Sequence, residues 1–170
     1  AAAGDQMAVN FLLLPYILGS MPGRLPLWKP LVAYLNSWLP WVFYPAGGSA
    51  MVSVREVADA AVMAFERGDA GARYQVCAEN LTWQDILQRL GKILGKTKPI
   101  ITLPKALVKL GAWFVALRHR LQGRESGLYL APFVKLQTRL AFLDPDYSAR
   151  QLGYAHAELE PDFVKTVQAS

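Results

Sequence analysis

Cysteine and histidine are scarce in this sequence. Cys77 is the only cysteine, so no disulfide can close within the chain and no thiolate zinc site can be built. His119 and His156 are the only histidines, and they stand too far apart in sequence to suggest a metal site. One group of aromatics has the spacing to hold a ligand. Trp28, Trp38, Trp41, Phe43 and Tyr44 are interleaved with Pro22, Pro26, Pro30, Pro40 and Pro45. Aromatics grouped between prolines make a stiff apolar wall, which a flat or apolar ligand needs. The same residues would equally serve to cover a core or a subunit interface. Ser53 offers a hydroxyl that can cap a helix and border a pocket.

The elements that would position these residues are legible from Val52 to Leu90. Ser53 and Glu56 have the S-x-x-E spacing of a capping box, in which the Ser53 hydroxyl accepts from the Glu56 N–H and the carboxylate reaches back. Val54, Val57, Ala58, Ala61, Val62 and Phe65 then form the stripe of a helix with one buried face. Arg67 suits its last turn, and Gly68 the left-handed position after it. Residues 73–77 alternate around Tyr74 and Val76 as a short strand. Thr82 and Asp85 open the next helix, whose apolar face is Trp83, Ile86, Leu87, Leu90, Ile93 and Leu94, with Gly95 closing it.

The flanks read less regularly. Residues 11–18, FLLLPYIL, form a short apolar run bounded by Pro and Gly, the pattern of a fully buried parallel strand. A signal peptide does not fit, because the run lacks a basic leader and Asp5 precedes it. Residues 19–48 read as an irregular loop. Residues 99–103 read as an edge strand, and Pro104 suits the first turn of a helix running to about Leu121. That helix carries Leu107, Leu110, Phe114, Leu117 and Leu121 as its stripe, with Trp113 beside it and Lys105, Lys109, Arg118 and Arg120 as its charges. An ordinary helix packed on its own domain is the commoner form of such a pattern; a helix lying on a membrane surface is the other. A helix over 130–140, a short strand over 141–143, a short helix from Asp144 to Gly153 and a last helix from about Glu160 complete the reading.

The order and spacing of several motifs resemble the C-terminal part of the extended short-chain dehydrogenase/reductase family, in its branch of NAD(P)-dependent epimerases and dihydroflavonol-reductase-like enzymes. The motifs are Pro15-Tyr16-Ile17-Leu18-Gly19, Val52-Ser53-Val54-Arg55-Glu56-Val57-Ala58, Tyr74 with Glu79-Asn80-Leu81-Thr82, and Asp144 with Leu152-Gly153-Tyr154. They span nearly the whole chain. The resemblance implies an α/β fold: the C-terminal portion of a Rossmann-like doubly wound structure with a small, mostly helical substrate-binding subdomain, residues 1–170 being one unit. It implies that Leu14, Pro15, Tyr16 and Ile17 wall the nicotinamide of NAD or NADP, and that Gly19, Trp28 and Ser53 face substrate.

Departures from the family pattern limit what the chain could do alone. No G-x-x-G-x-x-G loop is present to seat a pyrophosphate on a helix N-terminus, and none of the seven tyrosines has a lysine four residues on. The expected arrangement is an N-terminal dinucleotide-binding half that precedes Ala1 and carries both elements, so no residue of this chain is assigned a catalytic role and none a metal. The family's diphosphate-contacting Arg would fall near Ser49, and its Asn or Arg before the Pro motif on Leu13. Both substitutions speak against a nucleotide sugar and for a less charged carbinol or carbonyl substrate, or for a site that no longer turns over. A non-catalytic scaffold, such as an accessory subunit of a respiratory NADH dehydrogenase, is the alternative class, and a membrane-surface module a third.

Composition agrees with a single packed unit that has a partner. Hydrophobic residues make up 53% of 170 and charged ones 18%, low enough to expect an extended apolar interface, for which the N-terminal Rossmann half is the natural match. The net charge is +5, and the positive residues cluster in 92–109 and 118–124 without a Lys/Arg run or a reading motif, which argues against nucleic acid as partner. A membrane surface or a larger complex stays open. Residues 31–54 carry no Lys, Arg, Asp or Glu, yet Asn36, Pro40, Pro45, Gly47 and Gly48 interrupt them, so a spanning helix is not expected. A lone cysteine fits a cytoplasmic or otherwise reducing compartment.

Overall fold

A computed structural model describes residues 8–19, 28–121 and 130–170. The apolar run near the start is two strands, β1 (Phe11–Leu13) and β2 (Tyr16–Leu18), which pair in parallel with different partners. Leu14 and Pro15 separate them. Pro15 has no N–H to give a ladder, which fits a break there. The run is also not fully buried: Phe11, Leu13, Leu14 and Ile17 are all more than a third exposed.

Residues 28–48 are more ordered than an irregular loop. Helix α1 (Lys29–Asn36) carries Pro30 in its first turn, where the missing N–H costs nothing. Strand β3 (Val42–Pro45) follows, then β4 (Gly48–Ser53), buried along its whole length. After β4 come α2 (Val54–Arg67), β5 (Arg73–Gln75), β6 (Glu79–Thr82), α3 (Trp83–Ile93), β7 (Ile100–Leu103), α4 (Lys105–Leu121), α5 (Leu130–Gln137), β8 (Leu140–Ala141), α6 (Pro145–Leu152) and α7 (Glu160–Gln168). The short strand expected at 141–143 thus lies one residue earlier.

Strand β4 is the hub. One edge pairs in parallel with β2 at Met51–Ser53 and with β8 at Gly48–Ser49; the other pairs antiparallel with β6. Its side chains alternate between two cores. Met51 joins Trp83, Ile86, Leu87, Leu90 and Phe163. Val52 joins Ala60, Ala64, Tyr74, Val76 and Leu152. Two further parallel pairs, β1–β5 and β3–β7, stand apart from this sheet.

Helix boundaries follow the sequence signals closely in α3 and α6. Thr82 and Asp85 form a reciprocal capping box, and Gly95 past the end of α3 is left-handed. Asp144 caps α6 and left-handed Gly153 ends it.

Helix α2 departs from its reading in three ways. The Ser53 hydroxyl accepts from Arg55 N–H rather than from Glu56. The Glu56 carboxylate turns inward, completely buried, and accepts from Ala157 N–H at 3.1 Å while meeting His156 Nδ1 at 3.0 Å. Gly68 is extended, not left-handed, and its N–H caps Ala64 O. The buried face is Glu56, Ala60 and Ala64; Val57 packs half-buried beside it, and the rest of the apolar stripe faces out, with Phe65 91% exposed.

Gly19 combines a positive φ with a close neighbour. Its φ is +148°, and a Cβ there would lie 2.6 Å from Val54 Cγ1. Gly19→Ala is expected to cost about 1–2 kcal/mol, read as a lower urea midpoint at unchanged m-value.

Candidate functional site

Three of the four residues assigned to the nicotinamide wall meet at one place. Leu14, Pro15 and Tyr16, at the β1–β2 joint, line a cleft of about 470 Å3 with Leu13, Ser49, Leu136, Ala141, Phe142 and Leu143. Apart from the Tyr16 and Ser49 hydroxyls, every side chain there is apolar.

Each wall has a local cause. Tyr16 is held edge-on to Trp83, ring centroids 5.4 Å apart, and tilted against Trp28 at 5.7 Å. Its hydroxyl accepts from Gln137 Nε2 at 3.2 Å. The opposite wall is fixed by Asn80, which donates from Nδ2 to Leu143 O at 2.7 Å and accepts from Leu143 N–H at 3.1 Å. Asn80 thereby acts on residues 141–143 as a strand partner would. Its neighbours have separate tasks: Glu79 clamps Arg89 with two bonds of 2.6 and 2.8 Å, Leu81 enters the core, and Thr82 caps α3. Gly47 lets the backbone of Gln137–Arg139 press against β4, since a Cβ there would lie 2.2 Å from Gln137 O.

The other assigned residues lie elsewhere. Ile17 points away from the cleft lining and is partly exposed; its carbonyl accepts from Trp28 Nε1 at 3.4 Å. Trp28 is buried in the core. Ser53 is fully buried, donating to Asp162 Oδ2 at 2.6 Å while capping α2, so its hydroxyl is spent on packing α7 against β4. Asp162 also meets Arg55 at 3.4 Å. Gly19 sits at the end of β2 against Val54. The proline-interleaved aromatics do not form one wall: Trp38, Trp41 and Phe43 are exposed, whereas Tyr44 leans on Trp83.

Ser49, Leu136, Ala141, Phe142 and Leu143 were not foreseen as site residues. The E-N-L-T motif was the available signal, because Asn80 is what holds that wall.

Three buried groups are held protonated near neutral pH. Tyr44 is pushed up to about 12, first by burial and then by Tyr16 and Tyr34. Tyr154 is pushed up to about 12 by burial and the nearby Glu56 carboxylate. Burial raises the Cys77 thiol to about 11, so it stays protonated and inert. Among the described residues no group of three His, Cys, Asp or Glu could hold a metal ion.

A second, larger cleft of about 630 Å3 has a different character. Tyr44, Thr82, Thr102, Lys105, Thr138 and Arg139 are among its lining residues, so it presents two cations.

No family model matches the chain, and no curated protein matches it in sequence. Solved structures do match it in fold. The protein gox2253 superposes with a TM-score of 0.69 at 20% identity, over 94% of this chain and 48% of its own. A nucleoside-diphosphate-sugar epimerase from Pseudomonas aeruginosa gives 0.65 at 19% identity, over 96% and 48%. Human epimerase family protein SDR39U1, solved with NADPH, gives 0.66 at 15%, over 97% and 50%. This chain spans about half the length of each. In fold, the chain therefore matches one half of epimerase-type structures, the Rossmann-like α/β class that its motifs resemble.

Proposed function

We propose that this chain supplies the substrate side of an NAD(P)-dependent oxidoreductase or epimerase acting on a carbinol or carbonyl compound of low charge. The observation that carries the reading is the convergence of Leu14, Pro15 and Tyr16 on one apolar cleft with Ser49 and residues 141–143. A nicotinamide ring needs a flat, dry wall on one side and substrate on the other, and these residues fit that end of the cofactor. The cofactor would supply the hydride. The chain's own part is to orient substrate and exclude water, with the Tyr16 hydroxyl, tied to Gln137, as a polar handle.

The residues here fit the nicotinamide end only, because the sequence has no glycine-rich phosphate loop. The phosphates and the acid–base groups would belong to a dinucleotide-binding half. The outward apolar stripe of α2 and the half-exposed β1 are surfaces such a partner would cover.

The division of labour has a direct test. Calorimetry of the 170-residue chain with NADH or NADPH is expected to give no measurable heat of binding; micromolar affinity would overturn it.

A further inference from the structure

We infer that α4 is a docking face for an anionic lipid surface, on which it lies in the plane of the interface. The helix does not bury the stripe its sequence displays. Leu107, Leu110, Trp113, Phe114 and Leu117 are all exposed, Trp113 by 57%. At about 100° per residue these five cover an arc of about 120°. Val108 and Ala112, less exposed, lie on the opposite side, and α4 packs against α5. The helix is thus anchored to the protein by one side and presents a continuous apolar arc on the other.

Charge identifies the occupant. Exposed Lys109 lies just past the Trp113 edge of the arc, and exposed Arg118 just past the Leu107 edge. The sequence from 105 to 121 contains Lys105, Lys109, Arg118 and Arg120 and no Asp or Glu. An apolar arc flanked on both sides by cations, with a Trp at its margin, matches the layered chemistry of a membrane interface: acyl chains, then headgroup carbonyls, then phosphates. The Trp113 and Phe114 rings stand edge to face at 5.1 Å, a compact wedge of the kind that enters the acyl boundary. The other exposed apolar stripe, on α2, is a useful contrast. That helix carries Arg55, Glu56, Asp59, Glu66 and Arg67, so both signs are present, as a protein partner would suit. Among the described residues no helix is long and apolar enough to cross a membrane, so contact is with the surface.

Vesicle co-sedimentation of the whole chain tests the inference. Vesicles of equimolar phosphatidylcholine and phosphatidylglycerol should pellet the protein, and pure phosphatidylcholine should do so at least roughly tenfold less well. Trp113→Ala with Phe114→Ala should lower the partition coefficient by roughly tenfold or more. Lys109→Gln with Arg118→Gln should lower it by about fivefold per cation, and high salt should do the same. Val62→Ser with Phe65→Ser, on the α2 stripe, should leave it unchanged. All four positions on α4 are exposed, so folding is not at stake, and circular dichroism of each variant checks this. Failure to pellet, equal binding to both vesicle types, or indifference to the α4 substitutions would each overturn the proposal. So would a dimer in solution that the Trp113 and Phe114 substitutions dissolve, since the face would then belong to a second copy.

Discussion

Replacing Trp83 by alanine is expected to destabilise the chain by about 3–5 kcal/mol. The indole is buried, closes over Tyr16 at 5.4 Å and Tyr44 at 5.6 Å, and donates from Nε1 to Gln137 O at 2.9 Å. Alanine would leave a large void at the meeting point of α3, β2 and β3, and would orphan a buried carbonyl. The effect would spread to the cleft, because Gln137 also donates to the Tyr16 hydroxyl. Trp83→Phe separates the two contributions. It keeps most of the packing and loses the hydrogen bond, so about 1–2 kcal/mol is expected. Urea unfolding followed by far-UV circular dichroism gives both values. An alanine loss below the phenylalanine loss would mean that packing around Tyr16 is not what holds this region.

Glu56→Ala should have the next largest effect, about 2–3 kcal/mol. The carboxylate is fully buried at the start of α2 and ties down residues 156–157, accepting from Ala157 N–H and meeting His156 Nδ1. Those two residues lie on the segment between α6 and α7, so removing the carboxylate frees that connection and strands a backbone donor. His156, a third exposed, can turn to water, which keeps the cost below that of a fully buried pair. A capping-box role would give a different pattern. Loss of a cap costs about 1 kcal/mol and is confined to the first turn of the helix. Amide exchange distinguishes the two: with Glu56→Ala, protection should fall around Ala157 as well as in α2.

Much of the local structure was legible because its causes are local. The Thr82–Asp85 box, the Gly95 and Gly153 stops and the Asp144 cap each lie within a few residues of what they determine. Pairings between distant segments were not. Residues 19–48 read as loop because five prolines interrupt them, yet Pro30 sits in the first turn of α1 and β3 gains its order from β7, more than fifty residues later. The α2 stripe illustrates a different limit. Periodicity shows that a helix has an apolar face, not which neighbour covers it. Here this chain's core takes the narrow face of Glu56, Ala60 and Ala64, a choice made possible because Glu56 finds partners at His156 and Ala157.

The cleft shows the same division. Leu14, Pro15 and Tyr16 could be placed from the sequence because the apolar run and its Pro–Gly frame carry the family resemblance. Ser49 and residues 141–143 could not, since what brings them there is the Ser49–Ala141 register of β4 with β8 and the two bonds of Asn80 to Leu143. Ser53 lay within the strongest motif, but its hydroxyl goes to Asp162, a residue 109 positions away.

As proposed, the Leu14–Tyr16 cleft receives a substrate of low charge beside a nicotinamide. The most direct measurement is NADPH- or NADH-dependent reduction of a panel of uncharged ketones by the chain joined to a dinucleotide-binding half, with and without Leu14→Arg. Leu14 lines the cleft but is 41% exposed, so the substitution should leave the melting temperature nearly unchanged while placing a charge where the substrate would sit. Turnover by the parent and a fall in kcat/KM of roughly a hundredfold in the variant are expected. An unchanged kcat/KM in a folded Leu14→Arg protein would contradict it.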